Sequence, residues 1–306
     1  MKGAVLCVGI VVVDIVTEVD TFPREDIKTR CGDIYEVIGG NAANNCRVLS
    51  LLGETSSFMG CAGTSGHHLR LVEDFFIRYQ VDMNPMVKCD GHAMPLTVCI
   101  LNKGAGTRTC LHYRGSLPEL TYDMFAAANI SLSTYKWIHF EGRYSSEDTL
   151  AQIEHVHNQR SSEGHTYNIS VELEKASKPL VPLLSSHADY VFASKDFAKV
   201  MGYADMTSAA EGLSAMAREG VVVICPWGDL GVAAKATNIQ VVTSAAYPPE
   251  DTVNTLAAGD TFIAACIKAL KDCNDLQKSL TYACKVAGAK CGLRDLDKLK
   301  DMSFNV

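Results

Sequence analysis

The chain has 306 residues and a formal net charge of −7, with 47% hydrophobic and 21% charged residues. That is enough apolar material for one large α/β domain or two smaller ones, and it argues against global disorder. An acidic chain without a basic cluster is a poor partner for nucleic acid or an anionic membrane, although an anionic ligand stays open wherever positive charge is local.

The N-terminus, MKGAVLCVGIVVVDIV, imitates a signal peptide, but its apolar run meets Asp14 after about ten residues and no A-x-A site follows. A buried first strand over residues 5–13 fits the β-branched run better. Residues 34–38 are a short apolar segment ending at Gly39-Gly40. Residues 41–52 carry a helical pattern. Asn41 is placed to cap it, Val48, Leu49, Leu51 and Leu52 fill one side, and Gly53 stops it. Residues 95–101 and 107–113 are strand-like and joined by NKGAG, a hairpin signal. Beyond them strand and helix alternate, with short apolar strand candidates at 137–140, 167–171, 190–193 and 221–225. That alternation predicts an α/β fold, a mostly parallel central sheet flanked by helices. The early extended pieces fall outside it. They are expected to form a small β-sheet lid, about residues 11–38 and 92–115, on a single domain of 1–306.

Twelve cysteines without a C-x-x-C pair read as reduced thiols in a cytoplasmic protein, so the N-x-S sequons at Asn129 and Asn168 carry no meaning. There is no P-loop, no G-x-G-x-x-G after the first strand and no G-x-S-x-G elbow. The nine histidines are scattered. His155 and His157 are two apart and face different sides of a helix, so no metal site is expected, and His67-His68 reads as solvated.

Asp14 ends an apolar strand, where ligands of open α/β sheets bind. It can accept hydrogen bonds from sugar hydroxyls or merely start a loop. Asn41 and Asn44 share a helix face, and their amides suit a polyol, a cap or a solvated surface equally well. Arg108 in the hairpin can serve a surface or reach a phosphate. PWGDLG (226–231) after a strand, and AAYPP (245–249), are ordinary loops or the walls of a purine pocket. NTLAAGDTF (254–262) sets one carboxylate, Asp260, among small residues just before an apolar helix. Asp260 is either an N-cap or part of an anion site at the helix start.

Together, the strand ending in Asp14, GGNAANN, NTLAAGDTF and CKVAGAKCG make the chain resemble the ribokinase-type (phosphofructokinase-B) carbohydrate kinases along nearly its whole length. LCVGIVVVDIV, WIHFEGR, SVELEK and VFASKD are similar to the branch that phosphorylates fructose at its 1-hydroxyl. The resemblance implies a ribokinase-like fold and ATP-dependent phosphorylation with Mg²⁺. It implies Asp260 as the base, and Ala257, Ala258, Gly259 and Asp260 as an anion hole. Asp14, Gly40, Asn41 and Asn44 then match sugar positions. Arg108 and Gly228, Asp229, Leu230 and Gly231 match nucleotide positions, and the lid would interlock two subunits as a homodimer. Three departures stand out. Asn254 replaces an Asp that helps bind a monovalent cation in several members, which puts potassium in doubt. SKDF (194–197) replaces the N-x-x-E motif, as it does in the fructose branch. Ala257 replaces the usual first Gly. The same motifs fit a kinase for another sugar or nucleoside, or a non-catalytic sugar or nucleotide sensor; the intact Asp260 turn argues against the sensor.

Overall fold

The computed structural model describes residues 3–143, 146–174 and 178–305; Lys175, the last residue of SVELEK, lies outside them. In chain order the strands are β1 (Ala4–Val8), β2 (Val12–Val19), β3 (Asp33–Gly39), β4 (Ser56–Met59), β5 (Cys61–Ser65), β6 (Val87–Ala93), β7 (Leu96–Asn102), β8 (Thr107–Tyr113), β9 (Tyr135–Glu141), β10 (Asn168–Leu173), β11 (Tyr190–Ala193), β12 (Val222–Pro226), β13 (Val232–Lys235) and β14 (Val242–Ser244). The helices are α1 (Asn41–Leu51), α2 (His68–Arg78), α3 (Tyr122–Ala127), α4 (Ser146–Glu163), α5 (Lys195–Val200), α6 (Met206–Met216), α7 (Ala258–Cys273) and α8 (Leu276–Cys291).

Eight strands build the main sheet in the order β14-β13-β12-β11-β10-β9-β1-β4. From β4 to β12 neighbours run parallel, and β13 and β14 are antiparallel. Side chains of β1 alternate between the faces, as a pleated strand requires. Val5 and Cys7 pack with residues of α1, α2, α7 and α8, whereas Leu6 and Val8 pack with those of α3 to α6. The α/β expectation of helices on both faces of a mostly parallel sheet therefore holds. No described helix is long and apolar enough to cross a membrane, and none of the twelve cysteines is in a disulfide.

A smaller sheet has the order β3-β2-β7-β8. Its β7–β8 hairpin turns at NKGAG as expected. Opposite residues of paired strands share a face. One face thus carries Asp14, Thr97, Cys99, Cys110 and His112, and the other carries Ile34, Leu111 and Tyr113.

Three expectations need correction. Residues 5–13 are not one strand. The chain leaves the main sheet after Val8 and enters the smaller one at Val12, so Asp14 does not end a strand of the main sheet: it is the third residue of β2, between Val37 and Thr97. Glu141 and Ala42 press so closely on Gly9 that no side chain fits there, and the Ile10 N–H donates to Glu141 Oε2 at 3.0 Å. Residues 92–93 belong to β6, which pairs with β5 in a separate two-stranded sheet, so the smaller sheet resumes only at Leu96. Asn41 does not cap α1: Gly40 is the N-cap, at φ +97°, and Asn41 is the first helical residue.

Candidate functional site

Helix α7 begins at a turn without a side-chain cap. Ala257 is the N-cap in the left-handed region, φ 57°. Asp260 is therefore in the first turn and not the cap, which removes one of its two readings. The Ala258 N–H turns back to the Thr255 carbonyl at 3.2 Å, and the turn leaves the N–H groups that follow it and the positive end of the dipole directed outward. Holding Ala rather than Gly in the left-handed region costs about 1–2 kcal/mol, partly offset by the lower entropy of unfolded Ala. Ala257→Gly is thus expected to stabilise the fold by about 0.5–1 kcal/mol. A thermal melt reads this directly; a lower Tm in the variant would mean that the lost methyl contacts outweigh the relieved strain.

Helix α1 holds the other side of Asp260. Asn44 Nδ2 donates to Asp260 Oδ2 at 2.6 Å, and Asn45 Nδ2 donates to the Asp260 carbonyl at 2.9 Å. Asn45, fully buried, was not singled out by its motif. Asn41 points one turn away and donates to Glu172 Oε2 at 3.1 Å. Asp14 lies against Gly39, where a Cβ would collide with its carboxylate, and a Cβ on Gly40 would meet the Ile10 carbonyl. Burial pushes the Asp14 carboxyl up to about 6, against a hydrogen bond from Thr97 that lowers it.

Glu141 and Arg143 of WIHFEGR and Glu172 and Glu174 of SVELEK face the same cleft, although the resemblance of those stretches gave none of them a role. Their signal is positional: Glu141 ends β9, Glu172 is in β10, and the two are paired in register. Arg143 Nη1 donates to Glu141 Oε1 at 2.8 Å, and its Nη2 pairs with Glu119 at 3.1 Å. Burial, then the charges of Asp260, Glu174 and Glu141, hold the Glu172 carboxyl well above the usual range.

These residues line a chamber of about 640 Å³, between the smaller sheet and the C-terminal strand ends. Asp14, Gly40, Asn41, Asn44 and Arg108 all face it, with Ala257 and Asp260. Arg108 Nη1 lies 3.4 Å from Thr255 Oγ1. A second chamber of about 400 Å³ lies between the loop after β12, AAYPP and helices α7 and α8. Gly228, Asp229 and Gly231 line it; Leu230, carried outward by the short turn, does not and is 59% exposed. Gly231 is at φ +100°, where a Cβ would strike the Ser244 carbonyl. Tyr247 and Pro249 supply the aromatic and rigid wall expected of AAYPP. The chambers meet at Pro226, Thr255, Ala258 and Gly259, so the start of α7 lies at their junction, with Asp260 on the first side.

Away from the cleft, His155 and His157 do face apart: His155 meets Tyr122, and His157 stacks on His187. Among the described residues, Glu36, His67 and His68 bring ligand atoms within 4.8 Å of one another, but at the positive end of α2, which disfavours a cation.

The pfkB carbohydrate kinase family matches residues 2–297. Mouse ketohexokinase is 39% identical over 295 residues, covering 96% of this chain and 97% of the mouse protein. In fold the chain is similar to an Arabidopsis thaliana ribokinase solved with ribose and ATP, with a TM-score of 0.78, 16% identity and coverage of 99% and 100%. A Giardia lamblia ribokinase gives a TM-score of 0.81 at 14% identity, with coverage of 97% and 95%.

Proposed function

Because the chain belongs to the pfkB family of carbohydrate kinases, we propose that it is an ATP-dependent ketohexokinase converting D-fructose to fructose 1-phosphate. The observation that carries this reading is the pair of chambers meeting at the start of α7, with Asp260 on one side of the junction. A sugar fits the first chamber, whose Asp14, Asn41 and Asn44 match the many hydroxyls of a polyol. A nucleotide fits the second, between small glycines and the Tyr247–Pro249 wall. The γ-phosphate then lies on the N–H groups of Gly259 and Asp260, the Ala258 N–H being turned back to the Thr255 carbonyl at 3.2 Å, and Arg108 supplies local positive charge. Asp260 takes the proton from the attacking hydroxyl as that oxygen adds in line, and fixed dipoles stabilise the charge that develops. The similarity to mouse ketohexokinase supports fructose as the acceptor.

Glu174 and Asp260 bring negative charge to the chamber, so a polyphosphate needs a countercharge there. Mg²⁺ carried on the phosphates supplies it, and Glu174 in the lining offers oxygen donors of the kind it prefers. Potassium is left out of the reading. Asn254 Oδ1 accepts from the Leu256 N–H at 2.8 Å, and its carbonyl accepts from Lys290 at 2.6 Å, so both oxygens are engaged. The smaller sheet is the lid. Its outer face exposes Ile34 (62%), Leu111 (60%) and Tyr113 (65%), apolar surface that supports a homodimer formed through it. Twelve unpaired thiols support a cytoplasmic enzyme.

The test is ADP release from Mg·ATP with fructose, tagatose, glucose, ribose and adenosine. Fructose is expected to give the highest kcat/KM. Preference for another acceptor would replace the substrate and keep the kinase; ATP binding without turnover on any of them would favour a sensor.

A further inference from the structure

The loop leading into the anion-hole turn is held from behind by the end of α8. The N–H groups of Val253 and Asn254 both donate to the Cys291 carbonyl, at 2.8 and 3.1 Å. Lys290 Nζ donates to the Asn254 carbonyl at 2.6 Å. From there short bonds run on to the helix start. The Leu256 N–H donates to Asn254 Oδ1 at 2.8 Å, the Ala258 N–H to the Thr255 carbonyl at 3.2 Å, and the Thr261 N–H and hydroxyl both to the Ala257 carbonyl.

Lys290 is an expensive residue to keep here. It is 3% exposed, and burial lowers its amine to about 8. The charged and titratable groups facing it are Cys291 of α8, Arg108 of β8, Arg47 of α1 and Asp260 of α7. Arg108 and Arg47 repel it, and its hydrogen bond goes to a neutral carbonyl rather than to a carboxylate. A methionine of similar length would fill the same space without the desolvation cost. The charge itself must therefore be useful. An ammonium on the Asn254 carbonyl fixes that peptide, and with it the approach of residues 255–257 to the left-handed Ala257.

We infer that Lys290 is a positioning residue for phosphoryl transfer, a tethered cation whose bond to the Asn254 carbonyl keeps the first N–H groups of α7 aimed at the transferred phosphoryl group. This rests on the kinase reading of the same site. It predicts an effect on turnover more than on ground-state binding, because the turn matters most when charge develops on the phosphoryl oxygens.

The experiment compares wild type with Lys290→Met, Lys290→Arg and Lys290→Ala, using whichever acceptor of the panel the wild type phosphorylates, so that it does not depend on fructose. Lys290→Met is expected to lower kcat about tenfold with KM for ATP and sugar changed less than about threefold. Lys290→Arg, which keeps the charge, should recover part of that loss. Lys290→Ala opens a space for a small cation, so added methylammonium should raise its kcat, whereas tetramethylammonium at equal ionic strength should not. Unfolding curves normalise each rate to folded protein. Lys290→Met with wild-type kcat, or equal responses to the two ammonium ions, would overturn the inference while leaving the kinase reading intact. A folded wild type that turns over none of the acceptors would overturn both.

Discussion

Asp260→Asn is expected to lose about 10²–10⁴-fold in kcat, the usual scale for a general base, with ATP affinity largely kept. The substitution is nearly isosteric. An Asn at 260 still offers a carbonyl oxygen to the Asn44 amide, which now donates to Asp260 Oδ2 at 2.6 Å, and the Asn45 bond goes to the backbone carbonyl and is unaffected. The N–H groups of the α7 turn also remain. What disappears is the ability to take a proton at the junction of the two chambers. Electrostatics add a second signature. The charge of Asp260 helps hold the Glu172 carboxyl above its ordinary range, so removing it relieves repulsion in a buried carboxylate group. The variant should therefore melt at or above the wild-type temperature while nearly inactive. Initial rates and a melt on one preparation check both parts. Near-normal turnover would remove Asp260 from the base role, and an inactive variant with a lower Tm would point to structural damage.

Asp14, Asn41, Asn44 and Asp260 were legible in the sequence for one shared reason. Each interrupts an apolar or small-residue stretch with a polar side chain, a local pattern, although Asp14 is the third residue of β2 and not the strand end that the pattern suggested. What escaped depends on distant partners. The break at Gly9 is caused by Glu141, whose carboxylate meets the Ile10 N–H across 131 positions of chain. The pairing of Glu141 with Glu172 exists only through the register of β9 on β10. Asn41 looked like a cap because Asn is a good one, yet Gly40 at φ +97° takes that place and frees the amide for Glu172. Strands β4, β13 and β14 have three or four residues each, with Ser and Ala in place of a clear apolar run. β6, VKCDGHA, alternates too weakly to separate itself from the hairpin that follows. The two chambers were foreshadowed residue by residue, but their junction at the start of α7 required the folding of β12, α7 and AAYPP onto one another.

Asp14→Asn is expected to move binding and stability in opposite directions. In the folded protein the carboxyl titrates at about 6, and burial is the main cause. In the unfolded chain an Asp titrates near 3.9. The folded state thus holds the proton more tightly, and ionised Asp14 opposes folding. The sign follows from linkage. The penalty is absent below about pH 4, grows as pH rises through the interval up to about 6, and is fully present above it. Allowing for partial exposure, it amounts to on the order of 2 kcal/mol at neutral pH. Asn removes the charge, keeps the shape beside Gly39, and still accepts from Thr97. Tm at pH 7.5 should therefore rise by a few degrees, and the gain should shrink to nothing as the buffer approaches pH 4. The cost falls on the sugar. A hydrogen bond to a charged acceptor is worth about 1.5–3 kcal/mol, so KM for the acceptor should rise about 10- to 100-fold at pH 7.5, with kcat changed far less. Melts from pH 4 to 8 and sugar titrations at fixed Mg·ATP measure both. If the stability gain were the same at every pH, packing rather than charge would be its source. If KM did not move, Asp14 would have no part in holding the sugar.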